Sequence, residues 1–203
     1  MRLALREPLV LASGSATRAR LLADAGLPVL VDPAAVDEEE IRAAFHAEGR
    51  HAEACATALA ESKAMRVSAR HTGALVLGAD QILDCSGRWF EKPATIEAAR
   101  AQLVALRGKR HTLVSAAAVV RNGSVIWHAT DRAHLTMRGF SDEFLQAYIA
   151  TAGAELLDSV GAYRLEGLGA QLFERIEGDF FTILGLPLLP LLDFLRGHGA
   201  LAA

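Results

Sequence analysis

Cysteine is almost absent from this 203-residue chain: Cys55 and Cys85 stand alone, with no metal-ligand spacing between them. That excludes a disulfide framework and a cysteine-built zinc site, and two isolated thiols are read as reduced and cytoplasmic. A basic surplus is also missing. The formal net charge of −3 argues against a general nucleic-acid binder, which carries an excess of Lys and Arg. Any anion site must therefore be local. No apolar run reaches membrane-spanning length, and the longest, over 184–192, is broken by Gly185, Pro187 and Pro190. At the N-terminus Arg6 and Glu7 fall where a signal sequence needs unbroken apolar residues, so no targeting peptide is expected. Repeats and low-complexity segments are lacking as well. What the chain does have is 52% hydrophobic residues, enough for a sizeable core in one large domain or two packed lobes.

The most informative stretch covers residues 75–93, LVLGADQILDCSGRWFEKP. Leu75, Val76 and Leu77 read as a buried strand ending at Gly78, where a backbone or ligand can come close. Asp80 and Gln81 follow at once. Ser86-Gly87 reads as a two-residue hairpin loop, which pairs Cys85 with Arg88, Leu83 with Phe90 and Gln81 with Lys92. That register gathers a carboxylate (Asp80), an amide (Gln81) and an ammonium (Lys92) at one end of a ribbon. A surface hairpin with an ordinary solvated acid is the plainer alternative.

Upstream, a strand over 9–12 runs into Ser13-Gly14-Ser15 and then a helix over 16–25, stopped by Gly26. Strand, Ser/Gly turn and helix N-terminus together make an anion site, with Arg18 in the first turn able to reach the same anion. A Ser that simply caps the helix explains the same residues, and the two roles are compatible. No Gly-Lys-Ser/Thr follows, so this is not a Walker loop. Residues 29–31 read as a second strand. Asp37, Glu38, Glu39 and Glu40 open the next helix, where acids are favoured by the macrodipole without any function. Spacing does not say which of the four could hold a metal.

The helix over 52–69 carries an apolar stripe of Ala56, Leu59, Ala60, Ala64 and Val67, and Lys63 falls inside it. Such a Lys either snorkels to the edge or is held by an anion. Thr95 caps a helix with Ile96, Ala99, Leu103 and Leu106 inward. Two β-rich runs, 111–120 and 124–137, are joined by the hairpin signal Asn122-Gly123. Ser141 caps a helix ending at Gly153, with Phe140 stapled onto Leu145. The glycine-rich 158–169 segment carries Glu166, placed either for ligand recognition or in a plain turn. Residues 171–176 and 180–184 read as strands around Gly178-Asp179, and Pro187 starts the last helix.

Taken together these landmarks resemble the Maf family of nucleotide pyrophosphatases over nearly the whole chain. The resemblance rests on LASGSATRARLL at the first turn, Asp37-Glu38, Lys63-Ala64, Gly78-Ala79-Asp80, Lys92-Pro93 and GDFFTILGLP over 178–187. It implies a single Maf-like domain over 1–203, an α/β fold with a mixed central sheet flanked by helices, and two packed lobes with a cleft between them. The implied activity is hydrolysis of a nucleoside triphosphate between its α and β phosphates, with Mg²⁺ or Mn²⁺. The implied roles are Asp80 as catalytic residue, Ser13, Ser15, Arg18, Lys63 and Lys92 on the phosphates, and Glu38 with Asp80 on the metal. An unperturbed Asp, with a pKa of roughly 3.9, is a poor base at neutral pH. Either its surroundings raise that value, or Asp80 orients a metal-bound water.

Base preference follows three positions in the family, here Thr17, Gln81 and Glu166. Gln and Glu match the branch that resembles 7-methyl-GTP hydrolases, whereas Thr17 replaces its bulky aromatic. Ser159 stands where many members have Lys, so no Lys role is carried to it. The resemblance also implies a homodimer, with neither nucleic acid nor membrane as partner. A dTTP/UTP pyrophosphatase and a non-catalytic nucleotide-binding regulator of septum formation are the competing readings.

Overall fold

The computed structural model describes residues 5–202. The first four residues of the N-terminal stretch read against a signal sequence lie outside the described residues. The elements run β1 (Leu9–Leu11), α1 (Ala16–Asp24), β2 (Leu30–Val31), α2 (Glu38–Ala47), α3 (Ala52–Ser68), β3 (Leu75–Cys85), β4 (Arg88–Phe90) and α4 (Ile96–Leu106). After them come β5 (Arg110–Arg121), β6 (Ser124–Met137), α5 (Asp142–Ala152), β7 (Phe173–Glu177), α6 (Phe180–Ile183) and α7 (Leu188–Gly197). Among the described residues the strands form one mixed sheet in the order β2-β1-β3-β5-β6-β7, with β4 on β3. β1 is parallel to β2 and β3, while β3–β4 and β6–β7 are antiparallel. Among the described residues no helix is long and apolar enough to cross a membrane.

Two compact units divide the chain, in keeping with the two lobes expected. The first comprises 1–81, 115–131 and 185–203, and the second 82–114 and 132–184. In the first, Val10, Ala64, Val67, Val76 and Val120 belong to one buried cluster under α3. In the second, Leu83, Phe90, Leu103, Leu113, Leu135, Leu145 and Tyr163 belong to a larger one. Local chemistry explains most element ends. Ser15, Asp37, Thr95 and Ser141 each accept a backbone N–H at the start of a helix. Both hairpin loops have two residues in the left-handed region, Ser86-Gly87 and Asn122-Gly123, as a type I′ turn requires.

Three expectations need correction. The strand that opens at Leu75 does not stop at Gly78 but continues to Cys85. Gly78 is needed inside it because α3 crosses there: a Cβ would overlap the carbonyl oxygen of Ala60 and lie 2.9 Å from the Ala64 nitrogen. The β3–β4 pairing matches the expected register at Leu83–Phe90 and Cys85–Arg88, but β4 ends at Phe90, so Gln81 and Lys92 are not strand partners. Pro93, which has no N–H and restricts the residue before it, ends the ladder. Finally, 180–184 is not a strand: Asp179 accepts from the Thr182 N–H at 3.0 Å and starts the short helix α6. A short apolar run is compatible with either state, and the cap decides.

Candidate active site

The first unit concentrates the candidate chemistry in side chains from β1, α1, α2, α3 and β3. Asp80 lies on β3 two residues beyond Gly78, and is 3% exposed. The close approach that Gly78 permits brings α3 onto β3, and Lys63, one turn past Ala60, meets Asp80 there. Lys63 Nζ is 2.6 Å from Asp80 Oδ1 and 2.8 Å from Glu38 Oε1. The ammonium is therefore not snorkelling to the edge; it is buried and held by two of the protein's own carboxylates.

Helix α2 supplies the other half. Asp37 caps it, and Glu38 and Arg42, four residues apart, share one face. Arg42 Nη2 lies 2.8 Å from Glu38 Oε2 and 3.3 Å from Asp80 Oδ2. Sequence reasoning missed Arg42, although its spacing from Glu38 was a legible signal. Burial pushes the Glu38 carboxyl up, but Lys63 and Arg42 outweigh it, and the group lies below its usual range. Cys55 on α3 senses the same charge: burial first and Asp80 second push its thiol up to about 11.

Arg18 is a clamp. Its Nε donates to Gly185 O at 2.8 Å, and its Nη1 donates to Ser13 Oγ at 3.0 Å and Ala79 O at 2.9 Å. It thus ties the turn after β1 to the residue before Asp80 and to the chain between α6 and α7. Burial pulls the guanidinium below its ordinary value, against the opposing pull of Asp80 and Glu38. Ser15 is the N-cap of α1, accepting from the Arg18 N–H at 3.3 Å, and Ser13 Oγ also accepts from the Ser15 N–H. The capping explanation of Ser15 therefore holds, and the hydroxyls stand at a helix N-terminus suited to an anion. Thr17 is half-buried one residue into that helix. Gln81, next to Asp80 in an unbroken strand, points to the opposite sheet face, where its Nε2 donates to Ser115 Oγ at 2.9 Å.

Lys92 and Glu166 belong to the second unit. Lys92 is exposed just beyond β4. The glycine-rich segment folds into short 3₁₀ turns, anchored by buried Tyr163, whose hydroxyl is 2.8 Å from His111 Nε2. Glu166 Oε1 lies 3.3 Å from Arg164 Nε, and Arg164 Nη1 lies 3.3 Å from Glu155. Arg164 is a second residue the sequence reading passed over.

Glu38 and Asp80 fit a hard divalent cation. Both offer carboxylate oxygens, and contacts to the same two cations hold them close together. Mg²⁺ is typically bound by one or two carboxylates completed by substrate phosphates. Among the described residues no third His, Cys, Asp or Glu joins them. Lys63, Arg42 and Arg18 thus stand beside two carboxylates, and it is cations that phosphoryl-transfer catalysts use to neutralise and position a polyanion.

An α/β protein with such a centre belongs to the phosphate-handling class, and sequence comparison narrows it. The model of the Maf-like protein family matches residues 8–198. A nucleoside triphosphate pyrophosphatase of Paramagnetospirillum magneticum is 59% identical over 95% of this chain and 99% of its own length. A second from Granulibacter bethesdensis is 51% identical over 95% and 98%. A 7-methyl-GTP pyrophosphatase of Mesorhizobium japonicum is also 51% identical, over 96% and 98%. The chain belongs to the Maf family.

Proposed function

We propose that this nucleotide pyrophosphatase takes up water across the α–β phosphoanhydride of a nucleoside triphosphate, releasing a monophosphate and pyrophosphate, and that it favours guanine or 7-methylguanine over pyrimidines. The observation that carries the reading is the buried Lys63 bridge between Asp80 and Glu38, which sets charged groups where only a charged ligand gives them further purpose. When bound, Mg²⁺ or Mn²⁺ supplies charge neutralisation of the phosphates and acidifies water. Glu38 and Asp80 hold it. Asp80 orients the attacking water through its carboxylate, and Lys63 fixes that carboxylate's rotamer. Ser13, Ser15 and the N-terminus of α1 receive phosphate oxygens, with Arg18 keeping the turn in shape. Lys92 adds a further phosphate contact. A cytoplasmic homodimer is part of the same reading.

The base preference rests on Glu166, with Gln81 and Thr17 as accessory positions. A carboxylate can accept from the adjacent N1–H and N2–H₂ of guanine, or offset the charge of a 7-methylated ring. Uracil and thymine present carbonyl oxygens beside a single N–H. Leaving a charged acceptor without partners costs a few kcal/mol, about the price of a tenfold or greater preference.

The test is pyrophosphate release from a triphosphate panel containing 7-methyl-GTP, GTP, UTP and dTTP, with Mn²⁺ or Mg²⁺. Wild-type kcat/KM should favour the guanine nucleotides by on the order of 10-fold, and Glu166→Gln should narrow the gap by improving the pyrimidines. Asp80→Asn should lose at least about 10²-fold in turnover while still binding nucleotide. Pyrimidine preference in the wild type, or an unchanged ratio in Glu166→Gln, removes the role of Glu166. Release of pyrophosphate from no nucleotide at all favours the regulator.

A further inference from the structure

Glu38 and Asp80 present four oxygens, and two cations cover them. Lys63 Nζ takes Glu38 Oε1 and Asp80 Oδ1, at 2.8 and 2.6 Å. Arg42 Nη2 takes Glu38 Oε2 at 2.8 Å and reaches both Asp80 oxygens, Oδ2 at 3.3 Å and Oδ1 at 3.4 Å. A single guanidinium nitrogen thus sits between the two carboxylates, in the place that the proposed function gives to a divalent cation. The two side chains are not held alike. Lys63 is 8% exposed on a helix packed against β3, whereas Arg42 is 20% exposed. Arg42 also stands on α2, a helix with no buried residue. Of the two, Arg42 is the one that can leave.

Charge balance says that it must. With Lys63 and Arg42 in contact and Arg18 near enough to interact, two negative charges face three positive ones. A divalent cation added to the same oxygens would meet Arg42 at contact distance, where like charges in a partly desolvated site repel strongly.

We propose that Arg42 is a tethered cation that occupies the Glu38–Asp80 position in the metal-free protein, competes with the divalent cation for it, and swings out when that cation binds. The inference rests on the reading of Glu38 and Asp80 as the cation's ligands. It makes Arg42 a positioning residue that keeps the carboxylate pair assembled between turnovers, and that sets the cation concentration at which the site loads.

The test uses Mn²⁺ alone, titrated calorimetrically into nucleotide-free wild type, Arg42→Gln, Arg42→Lys and Asp80→Asn. Arg42→Gln should bind Mn²⁺ about tenfold more tightly, Arg42→Lys should stay near the wild-type value because it keeps the charge, and Asp80→Asn should lose binding. Without metal, Arg42→Gln should melt below the wild type, and saturating Mn²⁺ should restore it. Equal or weaker Mn²⁺ binding by Arg42→Gln, with binding still lost in Asp80→Asn, overturns the competition and leaves the ligand assignment standing. Unchanged binding in Asp80→Asn, or no binding by any protein, overturns both. Should Arg42→Gln fail to fold, the wild type labelled with ¹⁵N-arginine decides: Mg²⁺ should turn the Arg42 Nε signal, assigned by its absence in Arg42→Lys, into that of a mobile side chain. An Nε signal that Mg²⁺ leaves unmoved overturns the proposal.

Discussion

Replacing Gly78 by Ala adds one methyl group to the middle of β3 and tests how packing places the site. The new Cβ would overlap the Ala60 carbonyl oxygen and lie 2.9 Å from the Ala64 nitrogen and 3.0 Å from the Ala60 carbonyl carbon. All three atoms are helix backbone, so no side-chain rotamer can relieve the contact. Gly78 is not in the left-handed region, which leaves steric exclusion as the whole effect. Overpacking costs about 1–3 kcal/mol, and a rigid helix puts this site at the upper end. For a chain of this size that lowers the melting temperature by roughly 6–12 °C. The second consequence is functional. Helix α3 must retreat by about 1 Å and carry Lys63 with it, and a displacement of that size typically costs on the order of 10²-fold in rate. Thermal unfolding and steady-state pyrophosphate release, measured on the same preparations, read the two effects. Gly139→Ala is the control, since a Cβ there meets nothing within 4 Å. A Gly78→Ala protein that melts with the wild type would refute the close-approach argument. One that melts early yet turns over at full rate would refute the link from helix spacing to the Lys63–Asp80 contact.

Lys63→Ala and Lys92→Ala should separate cleanly. The first leaves the buried Asp80 and half-buried Glu38 carboxylates with Arg42 and the neighbouring Arg18 and should cost about 3 kcal/mol, the lower end for breaking a buried pair; the second, at an exposed position, should change stability by no more than about 0.5 kcal/mol and show itself in KM. Equal urea midpoints for the two variants would contradict the burial of Lys63. His111 is 2% exposed, with Nδ1 buried and without a partner, and burial lowers its pKa to about 4 from the ordinary 6.5. Because the unfolded chain then binds the extra proton between those values, stability is full above pH 6.5 and falls as pH drops toward 4. The His111 share of the loss between pH 7.5 and 5 is about 2 kcal/mol; His111→Gln should remove that part of the slope in urea titrations, and an unchanged slope would show that His111 does not titrate on unfolding.

How far the sequence could be read depended on whether one element or two carried the signal. Lys63 was legible as an inward lysine because the helical period of α3 is a property of α3 alone. What it points at was not, since Asp80 and Glu38 reach it from β3 and α2, and no local pattern relates those segments. Of the two ideas, snorkelling or the hold of an anion, only snorkelling assumed an edge position; the structure gives an interior one, 6% exposed, with two carboxylates as the anions that hold it. Strand ends failed for a related reason. The apolar run that stops at Gly78 reads as a strand end where a backbone or ligand can come close; the close backbone is there, as helix α3, but it crosses mid-strand. At 180–184 the apolar run fitted strand and helix equally, and Asp179, whose cap bond settles it, was legible only as a turn residue.

Arg42 shows where legibility stops and physical argument has to take over. Its spacing from Glu38 marks an ordinary helix-surface ion pair, of the sort usually worth a few tenths of a kcal/mol. Nothing along α2 distinguishes it from such a pair until Asp80 is placed 3.3 Å from the same nitrogen. The contact changes its meaning. A surface pair with water on all sides is indifferent to metal, whereas a guanidinium lodged between two carboxylates that also meet Lys63 would have a competitor for its position if a divalent cation binds there. The acids at the start of α2 thus serve two demands at once. Glu39 and Glu40 are exposed and need no more than the helix dipole to explain them. Glu38, with its carboxyl held below the usual range by Lys63 and Arg42, is the one among them whose ionisation the protein's own cations maintain.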